Sequence, residues 1–129
     1  MKAFRLTLSP SGELATPLHF LDRSDCTRYQ KMLLAPWEAL GYYQSPAGEK
    51  IPLAKVQLRI EPALIPGIFD ADLDWIVWRK DGALGYVPLV PGRCFDAGAW
   101  RPVTDQDRRD PTLAPKLANA ERELNSQSK

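Results

Sequence analysis

The hydrophobic positions of this chain change period several times, and each change marks an element. From Trp75 to Val90, two runs of β-branched, aromatic and aliphatic residues flank Asp81-Gly82. An Asp-Gly pair supplies the positive φ angles that a tight type I′ turn needs, so this stretch predicts a β-hairpin. Alternation in residues 2–8 places Phe4, Leu6 and Leu8 on one face of a half-buried strand. Ser9-Pro-Ser-Gly12 follows as a turn, and residues 14–21 can pair back as a strand that Pro17 confines to an edge.

The period then lengthens. Cys26, Tyr29, Leu33, Trp37 and Leu40 recur at steps of three and four, an apolar stripe on a helix. Ser24 is its predicted N-cap, with Asp25 in the first turn where the helix dipole favours negative charge. Pro36 is expected to kink or divide the helix and Gly41 to end it. Residues 42–50 read as a loop. Alternation returns near Lys55 with Val56, Leu58 and Ile60. Residues 61–73 read as a connector whose apolar members lie across the core, and 99–103 as a short strand.

From Thr104 the pattern changes again. A run of acids and bases surrounds Arg108-Arg109, and Leu113, Leu117, Ala120 and Leu124 then share one helical face. This predicts a helix from about Ala114, with fraying from Asn125 to Lys129.

Together these elements give an α+β fold. A single domain holds an antiparallel sheet of about four to five strands, packed by one main helix, with a C-terminal amphipathic helix. Residues 1–104 form the domain and 105–129 a charged connector and helical tail. The expected central strands are 55–60 and 74–80. The expected core is Phe4, Leu6, Leu33, Trp37, Val56, Leu58 and one of Trp75 or Trp78.

Composition adds limits. The chain has 129 residues, 44% hydrophobic and 26% charged, as ordinary globular domains do. Its net charge of +1 removes the basic excess that general nucleic-acid binders carry. No run approaches the roughly 20 apolar residues of a membrane span, and the N-terminus lacks a signal-peptide pattern. A cytoplasmic protein with no membrane contact is expected. Cys26 and Cys94 are then expected to be reduced and buried, with a single disulfide between them as the alternative.

Candidate chemistry is sparse. Asp70, Asp72 and Asp74 alternate as oxygen ligands do at the start of a calcium loop, but Trp75 stands where that loop needs glycine. They are weak metal candidates at best. His19, Asp22, Asp25 and Cys26 lie close in sequence but lack a second ligand pair for zinc. Nucleophile elbows, phosphate loops and dinucleotide fingerprints are absent, so no catalytic residue and no cofactor is assigned.

What remains is a surplus of aromatic and arginine residues, the types that dominate protein-binding hot spots. Trp78, Tyr86, Trp100 and Arg101 are the expected contacts with a protein partner. The leading expectation is a small non-catalytic interaction module: an adaptor, a chaperone-like factor or an inhibitor. A nucleic-acid-associated protein using the same Trp/Arg face is the alternative. A small metal-dependent enzyme centred on the Asp70–Asp74 loop is the third. For the tail, Leu113, Leu117 and Leu124 form the expected contact, either with the sheet or with a second chain, as in a homodimer.

Overall fold

The first alternating run is a strand whose phase changes halfway. In a computed structural model describing residues 1–127, β1 (Lys2–Ser9) and β2 (Glu13–Phe20) form an antiparallel hairpin. Phe4 and Arg5 pair with Phe20 and His19, but Thr7 and Leu8 pair with Leu14 and Glu13. Between these pairs β1 has only Leu6, whereas β2 has Ala15 to Leu18. Pro17 falls in this irregular stretch, where its missing N–H interrupts no regular ladder. The shift also moves the buried set. Ala3, Leu6 and Leu8 are buried while Phe4 is only half-buried, which corrects its predicted core role.

Contacts divide the chain into two compact units. One is Ala3–Ala63; the other is Leu64 onward together with Met1–Lys2. In the N-terminal unit, helix α1 (Arg23–Leu40) runs unbroken through Pro36. Its cap is Asp22, not Ser24, and the cap makes no side-chain bond to the helix N–H groups. Gly41 ends the helix at φ +82°, donating its N–H to the Trp37 carbonyl over 2.8 Å. The stripe packs unevenly. Cys26 is fully buried, Tyr29 lies 5.4 Å from Phe20 between ring centres, and Leu33 and Trp37 are half-buried. Leu40 is exposed and lies outside the packed stripe.

The expected loop after Gly41 is instead a small hairpin, β3 (Tyr42–Gln44) with β4 (Lys50–Pro52). Its turn is closed by bonds between Ser45 and Glu49 and by Gly48 at φ +89°. A 3-10 turn at Leu53–Lys55 then leads into β5 (Gln57–Leu64). The order β5-β1-β2 makes β5 an edge strand, not a central one. Pro62 within it explains the preference, since an edge tolerates the missing donor. Leu58 is buried, whereas Val56 is half-buried.

In the C-terminal unit the sheet order is β10-β8-β7-β6. Here β6 (Gly67–Asp70), β7 (Trp75–Lys80), β8 (Ala83–Pro88) and β10 (Arg101–Pro102) pair antiparallel. The Asp81-Gly82 turn has φ values of +53° and +81°, as the type I′ reading requires. The connector prediction missed β6, and β9 (Cys94–Asp96) was not anticipated either.

The charged connector contains helix α2 (Asp105–Arg109), held by a reciprocal cap between Thr104 and Asp107. Helix α3 (Ala114–Gln127) follows, with Pro115 in its first turn. It remains helical at Asn125–Gln127, where fraying was expected; Ser128 and Lys129 lie outside the described residues. Ala120 and Leu124 join Ile68, Val77, Leu84 and Tyr86 in one core cluster. Leu117 is 2% exposed and Leu113 half-buried. The tail helix therefore docks on the sheet of its own unit, where Leu117 and Leu124 are buried.

Candidate functional site

Strand alternation sorts the aromatic residues of the C-terminal unit onto two faces. Trp75, Val77 and Arg79 share the α3 face with Leu84 and Tyr86; Ile76, Trp78 and Lys80 share the opposite face with Gly85 and Val87. Each face then builds a stack that ends at the short edge strand β10.

On the α3 face, Trp75 and Tyr86 lie nearly parallel, with ring centres 3.7 Å apart and planes at 14°. They are diagonal cross-strand neighbours, a spacing that aromatic side chains can bridge. Arg101 continues the stack, its guanidinium carbon 5.0 Å from the Tyr86 ring centre. On the opposite face, Gly85 pairs with Trp78, and the Trp100 indole lies over Gly85. A Cβ at Gly85 would run into that ring and into the Arg101 carbonyl. The Trp100 Nε1–H donates to the Trp78 carbonyl over 3.3 Å, and the two indole rings sit 6.4 Å apart. Lys80 Nζ stands 5.4 Å from the Trp100 ring.

This geometry divides the four predicted contact residues. Trp78 and Tyr86 are each 7% exposed and act as packing groups, contrary to their expected surface role. Trp78 is seated because its cross-strand neighbours Gly67 and Gly85 lack side chains. Tyr86 lies in the core cluster that α3 helps to form. Trp100 is half-buried and Arg101 exposed, so these two remain available. Lys80 belongs with them and was missed; its even-numbered register with Trp78 was the signal.

Among the described residues, neither Lys80 nor Arg101 forms a salt bridge; each is held by an aromatic face. Such contacts contribute about 0.5–1 kcal/mol at exposed sites and leave the charge unpaired. Arg79 differs, because it reaches Glu121 at 3.1 Å and Asn125 at 3.2 Å. Pro102 blunts the β10 edge, so a partner would meet side chains there in preference to adding a strand.

The acidic triplet does not converge. Asp70 is 8% exposed and accepts the Leu73 N–H over 3.0 Å, closing its own turn. Asp72 and Asp74 are exposed, with Asp74 at φ +54°. Among the described residues no three His, Cys, Asp or Glu side chains are grouped to hold a metal ion. His19 Nδ1 lies 3.3 Å from the Pro17 carbonyl. Cys26 and Cys94 are buried and not joined in a disulfide, and burial pushes the Cys26 thiol up to about 11 against the opposing charge of Arg23. A thiol so placed is a poor nucleophile at neutral pH. No helix among the described residues is long and apolar enough to cross a membrane.

Comparison with known proteins gives no match to a family model, to a curated protein or to a solved structure.

Proposed function

We propose that the protein is a small non-catalytic interaction module that docks an acidic surface of a protein partner on its β10 edge. The observation that carries the reading is the two cations held beside that edge, one on each face of the sheet. Lys80 and Arg101 are oriented by Trp100 and Tyr86, and neither is neutralised within the described residues. Aromatic platforms with preset cations lose little side-chain freedom on binding, which favours affinity. Their charge selects carboxylates and speeds encounter with an acidic surface.

The test is affinity capture from nuclease-treated host extract with the full chain, compared with K80E/R101E and with Trp100→Ala. A protein retained by the wild type, released by rising salt and lost from both variants supports the reading. Equal recovery by all three proteins, or none, overturns it. Retention of single-stranded nucleic acid in a gel shift, abolished by Trp100→Ala, replaces it with nucleic-acid association through the same residues.

A further inference from the structure

A second concave site lies wholly within the N-terminal unit. The β1–β2 turn and the β3–β4 hairpin enclose a cleft of about 410 Å³. That volume falls in the range of small-molecule sites. Leu8, Tyr43, Ile51 and Val56 give it apolar walls, and Glu13 and Glu49 are the charged residues that line it. Tyr43 pairs with Ile51 across the hairpin, so both point to the same face. Lys50 and Tyr42 occupy the neighbouring positions on the other face, where Lys50 Nζ lies 5.1 Å from the Tyr42 ring centre. The hairpin's alternation thus turns its cation away from the cleft. Among the described residues neither Glu13 nor Glu49 forms an ion pair, and no basic side chain lines the cleft.

We propose that this cleft binds a small organic ammonium, with an apolar body against Leu8, Tyr43, Ile51 and Val56 and its charge toward Glu13 and Glu49. Two unpaired carboxylates beside an apolar, mostly aliphatic cavity reject anions and favour a cation with a hydrophobic body. The size of the cleft limits that body to a small molecule. This site is separate from the β10 edge, and neither reading depends on the other.

Phenethylammonium is the probe, with phenethyl alcohol and phenylacetate as its neutral and anionic counterparts, each titrated into the full chain and followed by amide shifts. Saturable shifts at Tyr43, Ile51 and Val56 with the ammonium, weaker binding of the alcohol and none of phenylacetate are expected. Glu13→Gln and Glu49→Gln should each weaken the ammonium by up to about fivefold, the size of a partly exposed ion pair. Their melting temperatures and alcohol binding should not change. Equal binding of ammonium and alcohol, shifts confined to other residues, or binding only of a lysine-rich peptide overturns the proposal.

Discussion

The two compact units use their aromatic residues differently. In the C-terminal unit the rings lie flat, Trp75 on Tyr86 and Trp100 over Gly85, and the stacks are pinned to strand register. In the N-terminal unit Trp37 meets Tyr43 edge-on at 4.6 Å, both half-buried, and Tyr43 faces an open cleft. Gly85 lets the Trp100 indole lie against the sheet, and the cross-strand diagonal brings Trp75 onto Tyr86, whereas the short β3–β4 hairpin offers Tyr43 neither arrangement. One unit builds a stacked edge whose cations lie over aromatic rings, and the other a concavity lined by Glu13 and Glu49.

The stacked side of this contrast breaks most completely if its covering helix is removed. Truncation after Thr104 deletes Leu117, Ala120 and Leu124, each at most 6% exposed. Each lost leucine should cost about 2–5 kcal/mol, so the pair approaches the whole stability of a typical domain. The truncated chain is expected to lose its near-ultraviolet circular dichroism from the stacked tryptophans. A cooperative transition within a few degrees of wild type would show that the sheet stands without α3.

Gly85→Ala tests the stacking itself. The new methyl group meets the Trp100 ring and the Arg101 carbonyl, an overpacking expected to cost about 1–3 kcal/mol. The Gly85→Ala/Trp100→Ala double variant should recover part of that loss in chemical denaturation, because the two residues share one space. Strictly additive losses would mean that the strain comes from the backbone alone.

These contrasts also explain what could be read from residues alone. The Asp81-Gly82 hairpin was legible because turn chemistry and alternation agree there. The α3 stripe was legible for the same reason, in its helical period. Burial along β1 was not, since the register shift near Pro17 slips the phase without a local signal strong enough to place it. The β3–β4 hairpin was hidden by its three-residue strands. Trp100 and Arg101 were identifiable as residue types, but the covered state of Trp78 and Tyr86 depends on Gly67, Gly85 and α3, which only the fold brings together.

Besides its open cleft the N-terminal unit has a closed interior, and Cys26, fully buried, reports on it. Its thiol is raised from 9.0 to about 11 by burial, so the folded state holds the proton more tightly than the unfolded chain. The sign follows from linkage. Stability from this group is fully present below about pH 9 and declines as pH rises toward 11. Denaturation curves of Cys26→Ala should therefore lose less stability over that interval than wild type. In the native protein at neutral pH the thiol should react slowly with a disulfide reagent, and quickly once unfolded. Parallel pH slopes for the two proteins would show that the thiolate is accommodated without penalty.

The smallest expected effect on folding sits at the edge that carries the proposed function. Arg101 is exposed and its guanidinium lies over the face of Tyr86. Arg101→Ala should cost no more than about 1 kcal/mol, the worth of an exposed cation–aromatic contact. Lys80→Ala should behave alike, since Lys80 rests on a Trp100 ring that keeps its own bond to the Trp78 carbonyl. Thermal melts of the two variants within a few degrees of wild type, with partner capture reduced, would separate binding from folding at this edge. A stability loss as large as that of Gly85→Ala would instead make the cations part of the stack's own support, and the contrast between a packed interior and a charged, available edge would fail.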